Sequence, residues 1–411
     1  MVLRISADAV ESVRKLIDDA CGNEVRLPCA SAVVVCKGTK VPALMLSSET
    51  NERPGVYHDK VHWLASRTKL VTGIACMQLV EQARLRLDDS DQVEQLCPEL
   101  AAVKVLQEDS SLVDKRSRIT LRMLLTHTAG FGYSFLNEEL RTYCRQNFPG
   151  QPVYDEFSGR AVDFQQPLVN HPGERFEYGI NIDWASILVE RVTGLTLSDY
   201  MQRFIFAPLN IKNVSMFPSL RMKEQLIGMW ERHPTGRLSR REYPLNRPLC
   251  NGSPSDTFHS GGAGLFGSIR EFTGILATLL NDGTSLQTGK TVLSPSTMKE
   301  MFTNQLPHDR NFARQYMPAV KADLVYPSEE LYPLCPASSP QGWGHTFMIS
   351  SGLTGRSGTT AHWSGISNVF WWCDRETGVA DVVASQVLPF PDPDTVKLWA
   401  DVEAKVYEGL R

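Results

Sequence analysis

Segments with strand character lie near both ends of the chain, and helical patterns lie between them. Ala30–Cys36 and Val41–Ser47 are short apolar or β-branched runs separated by a Lys-Gly-Thr-Lys turn, which predicts a hairpin. Asn368–Cys373 and Val379–Val387 predict a second hairpin near the C-terminus. Because such strands need partners and a covered apolar face, the pattern favours an α+β architecture. Both ends of the chain would build one lobe, and the middle would build another.

Helical periodicity fills much of the remaining chain. The longest pattern runs from about Thr68 to Leu87, with apolar side chains recurring at the spacing of one helix face. Ser268 and Glu271 have the spacing of a capping box at a helix start. Shorter helices are predicted near the N-terminus and at Leu121–Thr126, Asp183–Thr193, Ser198–Ile205, Ser268–Leu280 and about Asp394–Leu410.

The longest segment without periodicity is 303–345, which is rich in Pro and Tyr. Loops of this length inside a domain are usually functional, so the segment predicts a functional or lid-like loop. We expect a single catalytic domain. Its α/β lobe would come from about 1–87 and 261–411, and a mostly helical lobe from about 88–260.

The composition excludes several classes of partner. Of the 411 residues, 42% are apolar and 21% are charged, as in an ordinary globular protein. A net charge of −4 supplies no positive field for nucleic acid or an anionic membrane, so neither is an expected partner. There is no apolar run of membrane-spanning length, and Met1–Glu11 lacks the apolar core of a signal peptide.

The cysteines and histidines do not form metal or disulfide patterns. Nine cysteines are scattered along the chain without a C-x-x-C pair. The odd count and the spacing favour reduced thiols and a cytoplasmic location over a disulfide framework or a zinc site. The nine histidines show no H-x-x-x-H pair on a predicted helix and no Cys/His cluster, so neither a metal nor another cofactor is expected.

The tetrapeptide Ser66-Arg67-Thr68-Lys69 places a nucleophile and a base at helical spacing. If Ser66 opens the helix, residues i and i+3 share one face, about 5–6 Å apart between Cβ atoms. The Lys69 amine can then contact the serine hydroxyl and help to remove its proton. The helix N-terminus also directs N–H groups at a reacting carbonyl oxygen. Taken alone, the motif is more commonly a helix cap followed by a surface lysine.

Four landmarks occur in one order along the chain. They are His62–Asp89 around the Ser-x-x-Lys motif, Leu124–Gly130 (L-L-T-H-T-A-G), Tyr178–Trp184 (Y-G-I-N-I-D-W) and Trp363–Gly365 (W-S-G). Together they resemble the class C β-lactamase-like serine hydrolases, a family that includes esterases, D-Ala-D-Ala peptidases and fungal acyltransferases. The resemblance covers nearly the whole chain. It is strongest to the fungal statin-type acyltransferase branch, which shares a Y-G-x-N-x-D-W-A pattern.

The resemblance implies an α+β fold of the β-lactamase/penicillin-binding-protein type. In that fold an antiparallel sheet is flanked by the terminal helices and carries an inserted helical lobe. Ser66 would be the nucleophile, with Lys69 and Tyr178 as its activating partners. A phenol beside an ammonium can relay a proton in both directions, but the sequence does not decide which of the two is the resting base. The backbone N–H groups of Ser66 and Ile366 are expected to form the oxyanion hole, because that role needs no particular side chain.

Trp363 departs from the family pattern, since β-lactamases and peptidases carry the lysine of K-T-G at this position. An indole cannot hold a substrate carboxylate by charge, but it offers a wide apolar wall. The electrophile should therefore be an uncharged acyl chain on an ester or thioester. Similarity to the statin-type branch also implies that Tyr133, Tyr326 and Phe390 line the acyl or acceptor pocket, although aromatic residues are more often core than ligand-facing.

Other polar residues have competing explanations. Asn181 can contact substrate, but its place just before a predicted helix slightly favours an N-cap. Asp183, in the first turn of that helix, is expected to be a helix-dipole partner and not an acid. His127 matches a structural histidine of the family, and His362 is expected to make a local hydrogen bond at a strand end.

Two motif-based alternatives are disfavoured. The chain contains no G-x-S-x-G nucleophile elbow, which argues against an α/β-hydrolase with a Ser-His-Asp triad. Gly262–Gly267 matches G-x-G-x-x-G and precedes a helix, but it lacks the acidic residue that completes a dinucleotide site. The resembling family has a Gly-rich turn here for close backbone packing.

The predicted function is acyl transfer through an acyl-Ser66 intermediate to an alcohol of a small-molecule acceptor in secondary metabolism. The donor would be an ester or a thioester, of which CoA and carrier-protein thioesters are two forms. Hydrolysis by the same site is one alternative, since water exclusion and acceptor affinity decide between the two outcomes. A catalytically silent small-molecule-binding protein is the other, and intact Ser66, Lys69 and Tyr178 argue against it.

Overall fold

A seven-stranded antiparallel sheet, built from both ends of the chain, organises the molecule. The computed structural model describes residues 3–22, 26–48, 57–147, 154–250, 252–331 and 338–411. Numbered along the chain, the strands of these residues are β1 (Ser31–Cys36), β2 (Leu44–Ser47), β3 (Val61–Trp63), β4 (Lys104–Leu106), β5 (Leu112–Asp114), β6 (Val214–Ser215), β7 (Met229–Arg232), β8 (Leu238–Arg241), β9 (Phe266–Ser268), β10 (Gly342–Trp343), β11 (Met348–Ile349), β12 (Ala361–Gly365), β13 (Val369–Asp374), β14 (Val379–Ala384) and β15 (Val387–Leu388).

The large sheet has the spatial order β10-β11-β12-β13-β14-β1-β2, and its neighbouring strands are antiparallel. β1 pairs with β14 along its whole length, from Ser31 opposite Ala384 to Cys36 opposite Val379. Both predicted hairpins are present, as β1–β2 and β13–β14. The predicted α+β fold with an antiparallel sheet is therefore confirmed.

The last strand of the C-terminal hairpin is shorter than the sequence pattern predicts. β14 ends at Ala384, whereas the apolar run continues to Val387. The Ser385 N–H makes one further bond in the same register, to the Asn368 carbonyl at 3.1 Å. β15 then pairs in parallel with β7 in a separate three-stranded sheet. One apolar run thus contributes to two sheets.

Helices cover the large sheet and occupy much of the middle of the chain. In the described residues they are α1 (Ala7–Cys21), α2 (Thr68–Glu81), α3 (Ser90–Leu96), α4 (Pro98–Ala102), α5 (Leu121–Leu125), α6 (Glu138–Asn147), α7 (Asn181–Thr193), α8 (Leu197–Met201), α9 (Leu220–Glu224), α10 (Ile269–Leu280), α11 (Pro295–Phe302) and α12 (Pro393–Glu408). The helix predicted at Ser198–Ile205 is α8 continued by a π-helical turn, Gln202–Phe206.

The central strands are buried on both faces. Every residue of β1, β13 and β14 is buried. Phe370 stacks on Trp399 and Trp372 on Tyr407, so one face of β13 packs against α12, which also contacts α1. Trp371 points to the opposite face, where α10 packs against the sheet. This arrangement explains why these strands are almost continuously apolar.

Helix α2, which carries the Ser-x-x-Lys motif, is buried on nearly every side. Of its 14 residues only two are not buried, and it contacts α7, α8 and α11. It ends at Glu81 and not at the predicted Leu87, because Ala83 adopts a left-handed backbone with φ 53° that terminates the helix. Leu85 then packs into the core, so the apolar spacing continues beyond the helix.

The predicted capping box at α10 is only half formed. Ser268 Oγ accepts from the Glu271 N–H at 3.2 Å, as a cap should. The Glu271 carboxylate does not return to Ser268. It accepts from the N–H groups of Lys212 and Asn213 at 2.6 Å each, and so fastens α10 to the loop before β6.

The stretch 88–260 is not mostly helical as predicted. It holds α3–α9, but it also contains β4–β8 and long connections without regular structure. β4 and β5 pair with each other inside this stretch. β6–β8 belong to small sheets that tie the stretch to the rest of the fold, since β6 pairs with β9 and β7 pairs with β15. The division of a single catalytic domain into two lobes stays a prediction.

The predicted lid-like segment, 303–345, has little regular structure in its described part. An isolated bridge pairs Met317 with Ser328, and a second pairs Val325 with Phe390. The second bridge fastens the segment to the loop after β15. Residues 332–337, which include Cys335, lie outside the described residues.

The described part of the chain bears on the sequence predictions of reduced cysteines and of no membrane-spanning segment. Its eight cysteines form no disulfide bonds with one another. Among these residues, no helix combines the length and the apolar character that crossing a bilayer requires.

Asn368 joins the turn between β12 and β13 to the loop that carries Phe390. Its backbone is left-handed, with φ 57°, a conformation that asparagine tolerates better than most residues. Its Nδ2 donates to the carbonyls of Val387 and Pro389 at 2.8 and 3.2 Å. Its Oδ1 accepts from the Asp392 N–H at 2.8 Å.

Replacing Asn368 by Ala should lower the free energy of unfolding by about 2–4 kcal/mol, because it unpairs buried polar groups and strains the left-handed backbone. Asn368→Gly is the matched control, since it loses the same hydrogen bonds without the backbone strain. Chemical denaturation should place the Gly variant about 1 kcal/mol above the Ala variant. An Ala variant as stable as the wild-type protein would contradict this role.

Candidate active site

Ser66 lies in a tight turn between a strand and a helix. β3 leads through a 3-10 turn, Ala65–Arg67, directly into α2. Ala65 has a positive φ of 46°, a strained conformation for a residue with a Cβ and one that is common near functional sites. Thr68 Oγ1 holds the turn by donating to the Ala65 carbonyl at 2.7 Å and accepting from the Leu265 N–H at 3.0 Å. The turn places the Ser66 side chain beside the N-terminus of α2.

The structure brings the three predicted residues together around one hydroxyl. Lys69 Nζ lies 3.0 Å from Ser66 Oγ, as the i, i+3 spacing requires. The Tyr178 hydroxyl, from the loop before α7, lies 2.9 Å from the same oxygen. The Ser66 oxygen is therefore within hydrogen-bond distance of an amine and a phenol at once.

Lys69 is fully buried, with no exposed side-chain surface. Its amine donates to Ser66 Oγ, to the Tyr133 hydroxyl at 3.0 Å and to the Gly262 carbonyl at 2.9 Å. An ammonium has three donors and no acceptor, so these three partners satisfy it completely. The alternative of a surface lysine after a helix cap is wrong.

Tyr133 belongs to this polar cluster and not to the pocket wall where the resemblance placed it. It is buried, and burial raises the pKa of its hydroxyl well above the usual value, so it stays a phenol. Its ring packs edge-on against Tyr178 at 5.3 Å and stacks on Phe135 at 4.7 Å. Nothing in the sequence distinguishes an aromatic residue that meets Lys69 from one that meets substrate.

Asp183 supports the Lys69 amine from behind the Gly-rich turn. Its Oδ1 accepts from Ser260 Oγ at 2.6 Å and from the Gly262 N–H at 3.0 Å. A Cβ on Gly262 would lie only 2.4 Å from Asp183 Oδ2, so this position requires glycine. Burial raises the pKa of Asp183, and the Lys69 charge acts in the opposite direction. The carboxylate positions the turn, a role that the helix-dipole prediction missed.

Trp363, in β12, contributes a hydrogen bond as well as an apolar surface. Its indole Nε1 donates to the Tyr178 hydroxyl oxygen at 3.1 Å, and the two rings meet edge-on at 5.1 Å. The Tyr178 oxygen therefore lies between the Trp363 N–H and Ser66 Oγ. The sequence indicated the apolar wall but gave no sign of the donor.

His127 lies beneath Tyr178 and has no hydrogen bond to Ser66 among the described residues. Its ring centroid is 4.8 Å from that of Tyr178, and its Nδ1 accepts from the Gly179 N–H at 3.3 Å. Burial lowers its pKa well below the usual value, so the ring is neutral. The geometry agrees with a structural histidine. His362 also agrees with its prediction, since its Nε2 lies 2.7 Å from the Ser350 hydroxyl.

Asn181 has neither of the two roles considered for it. It is the first residue of α7, whose N-cap is Ile180 without a side-chain cap, so the N-cap prediction is wrong. Its side chain is fully buried, and its amide donates to the carbonyls of Phe131 and Glu177 at 2.9 and 3.1 Å. It ties together the loops around Tyr178 and is not among the residues that line the cleft.

Ser66 opens into a cleft of about 580 Å³ with mostly apolar walls. Of the predicted pocket residues, Trp363, Tyr326 and Phe390 line it. Among the described residues, the cleft is lined by Ser66, Phe135, Leu136, Phe157, Tyr178, Met317, Val325, Tyr326, Ser328, Glu330, Leu331, Trp363, Ser364, Ile366, Phe390 and Pro391. Several of these come from the 303–345 loop, so that loop forms part of the cleft wall.

The end of β12 lies directly against the nucleophile turn. A Cβ on Gly365 would come within 2.5 Å of the Leu64 carbonyl, so only glycine allows this approach. The approach places Ile366, the next residue, beside Ser66 at the cleft. The oxyanion hole expected from the backbone N–H groups of these two residues stays a prediction. Within the described part of the chain, no group of three or more His, Cys, Asp or Glu side chains is arranged to hold a metal ion.

Comparison with known proteins identifies the family. Residues 13–405 match the Beta-lactamase family, so the chain belongs to it. A mutant of simvastatin synthase from Aspergillus terreus has the same fold, with a TM-score of 0.79 and 27% identity over 98% of this chain and 95% of that one.

Two relatives indicate the chemistry of similar chains. Monacolin J acid methylbutanoyltransferase from Aspergillus terreus is 31% identical over 87% of this chain and 84% of its own length. Lovastatin esterase from Penicillium rubens is 32% identical over 84% of this chain and 83% of its own length. The resemblance inferred from the four landmarks is thus confirmed.

Replacing Trp363 by Phe keeps an apolar ring but removes the N–H that faces Tyr178. We expect kcat for hydrolysis of a chromogenic short-chain ester to fall about tenfold, since the lost hydrogen bond is worth about 1 kcal/mol or slightly more. Trp230→Phe, which changes an indole outside the cleft, is the control and should stay within about twofold of the wild type. Unchanged turnover in the Trp363 variant would show that the indole N–H contributes nothing.

Proposed function

We propose that this protein is a serine acyltransferase that carries an acyl group on Ser66 and passes it to an alcohol. The observation that carries the proposal is the position of Ser66 Oγ. It lies 3.0 Å from Lys69 Nζ and 2.9 Å from the Tyr178 hydroxyl, at an apolar cleft. A serine with two proton-handling neighbours is an activated nucleophile.

We propose that Tyr178, and not Lys69, is the base that accepts the Ser66 proton. As an ammonium, Lys69 donates all three of its hydrogens and has no lone pair to accept another. The Tyr178 oxygen faces Ser66 and also receives the Trp363 N–H, which stabilises a negative phenolate. Lys69 stabilises that phenolate by its charge, since Nζ lies 5.0 Å from the Tyr178 ring centroid.

The acylation step then follows from these positions. With Tyr178 as the phenolate, Ser66 Oγ bonds to the acyl carbon while the serine proton passes to the phenolate oxygen, and the carbonyl oxygen gains negative charge. The N–H groups of Ser66 and Ile366 stabilise that charge. Tyr178 next returns the proton to the departing alcohol or thiol as the acyl–donor bond breaks. An acceptor alcohol repeats the sequence in reverse and leaves with the acyl group.

The cleft supports an uncharged acyl chain as the group transferred. Its lining is mainly aromatic and aliphatic, and Trp363 occupies the position where β-lactamases and peptidases of the resembling family carry a lysine. A relative named for methylbutanoyl transfer to monacolin J acid supports a short acyl group and a small-molecule alcohol acceptor for this chain as well. We propose a CoA or carrier-protein thioester as the donor and a role in secondary metabolism.

Hydrolysis is the second candidate function, favoured by the relative named lovastatin esterase. The same acyl-Ser66 intermediate serves both reactions, and the outcome depends on whether water or an alcohol reaches it first. A binding protein without activity is disfavoured, because such a protein has no need for a buried lysine directed at a serine hydroxyl. We keep the cytoplasmic location as a proposal, supported by the described cysteines, which are not paired in disulfides with one another.

The test compares ester turnover with and without acceptor alcohols. Wild-type enzyme should release the chromogenic alcohol of a short-chain ester, and Ser66→Ala should be slower by roughly 10³-fold or more, as when other serine nucleophiles are removed. Ser255→Ala, an exposed serine outside the cleft, is the control. Added alcohols should accelerate release and appear as new esters in the product mixture.

Two results would change the assignment. Free acid as the sole product, at a rate independent of added alcohols, would replace the transferase by the esterase. Unchanged turnover in the Ser66 variant would reject acyl transfer at this site altogether.

A further inference from the structure

A buried carboxyl group that the proposed mechanism does not use lies behind the active site. Glu156 is 4% exposed, and Ser134 and Gln166 beside it are equally buried. Glu156 Oε1 accepts from the Ser134 N–H at 2.6 Å and from Gln166 Nε2 at 2.9 Å. Oε2 lies 2.9 Å from the Ser134 hydroxyl. No Lys, Arg or His of the described residues lies within ion-pair distance of this carboxyl.

The hydrogen-bond count shows where a proton is needed. Ser134 Oγ lies 2.9 Å from Glu156 Oε2 and also 2.9 Å from the Tyr154 carbonyl, which can only accept. With an ionised Glu156, the single Ser134 hydroxyl proton must serve two acceptors, and one is left unpaired. With a proton on Oε2, Glu156 donates to Ser134 and Ser134 donates to Tyr154. Every short contact then has one donor and one acceptor.

We propose that Glu156 is held as a neutral carboxylic acid and acts as a positioning residue for Lys69 and the cleft wall. The proposal rests on the proposed function, because it concerns the same site. Glu156 forms hydrogen bonds with both the N–H and the hydroxyl of Ser134, whose chain neighbours are Tyr133 and Phe135. Fixing Ser134 therefore fixes an acceptor of the Lys69 amine and one wall of the cleft at once.

The contacts of Tyr133 and Phe135, on either side of Ser134, connect Glu156 to the active site. The Tyr133 hydroxyl accepts from Lys69 at 3.0 Å, and the Tyr133 ring stacks on Phe135. Phe135 stacks in turn on Phe157 at 5.5 Å, and Phe157 meets Trp63 edge-on at 5.2 Å. Phe157 directly follows Glu156 in the chain. The carboxyl thus anchors both backbone segments that supply this aromatic stack.

The surroundings oppose ionisation of Glu156. Desolvation raises its pKa from 4.5 to about 7, although the hydrogen bonds from Ser134 and Gln166 act in the opposite direction. Asp155 and the phenol Tyr154 are its other titratable neighbours in the chain. Farther along the chain, the Asp163 carboxylate lies 3.9 Å from the Arg160 guanidinium. It accepts hydrogen bonds from the Ser158 hydroxyl and from the Asp155 N–H. The phenol Tyr133 faces Glu156 from the opposite segment.

This pKa direction fixes the sign of the pH dependence. A carboxyl with a higher pKa in the folded than in the unfolded state binds its proton more tightly when folded. Its contribution to stability is fully present below about 4.5 and is lost as the pH rises through about 7. Glutamine has the donor and acceptor pattern of the neutral acid and cannot ionise, so Glu156→Gln should remove this loss.

The experiment measures kcat for a chromogenic short-chain ester from about pH 5.5 to 9 in wild type and Glu156→Gln. The ratio of variant to wild-type kcat should stay near 1 at low pH and rise about threefold or more above pH 8, where the wild-type carboxyl is charged. Glu156→Leu should lose about tenfold or more in kcat at every pH, because it cannot hold Ser134. Glu108→Gln, which removes an exposed carboxyl, is the control and should give a flat ratio.

Two further readouts do not depend on turnover. Infrared difference spectra should show the C=O band of a protonated carboxyl in the wild type near pH 6 that is absent from Glu156→Gln and disappears as the pH rises through about 7. The melting temperature of the Gln variant should exceed that of the wild type by a few degrees above pH 8, and the two should converge below about pH 5.

The outcomes separate this proposal from the proposed function. Without any ester turnover in the wild type, the proposed function fails, while the infrared and melting data still decide the protonation state. A kcat ratio for Glu156→Gln that stays flat with pH, or the absence of the protonated-carboxyl band, would overturn the positioning role. So would Glu156→Leu turnover equal to that of the wild type.

Discussion

The burial of a single ammonium group determines the arrangement of the active site. A buried lysine is costly unless its three donors all find acceptors. Lys69 finds them in three separate parts of the chain: Ser66 one turn away, Tyr133 in the loop after α5, and the Gly262 carbonyl in the Gly-rich turn. Asp183 holds that turn in place. The same requirement that stabilises the charge also brings the nucleophile, its neighbours and the surrounding loops into contact.

Much of the fold could be predicted because it depends on local patterns. Alternating and continuous apolar runs identified the two hairpins, and the α10 helix start was recognised from Ser268. The errors occurred where tertiary contacts override the pattern. Apolar spacing continued past the end of α2 because Leu85 packs back into the core. It continued past β14 because Val387–Leu388 pairs with another strand. Neither departure has a signal in the local sequence.

The residues around Ser66 were predictable in identity but less so in role. Short motifs in family order located Lys69 and Tyr178, since chemistry restricts which residues can occupy those positions. Side-chain direction is not encoded in such motifs. Whether Tyr133 meets the lysine or the substrate, and whether the Trp363 N–H meets the phenol, depends on rotamers and on the approach of distant segments. These contacts became visible only in the folded chain.

The central claim is that the hydroxyl at 66 becomes acylated with the help of its amine and phenol neighbours. The most direct measurement is peptide mass mapping of enzyme quenched shortly after mixing with a short branched acyl thioester. The account predicts one acyl group on the Ser66 peptide in the wild type, and little or none in Lys69→Met and Tyr178→Phe over the same time. An acyl group on another residue, or undiminished labelling of Ser66 in both variants, would contradict it.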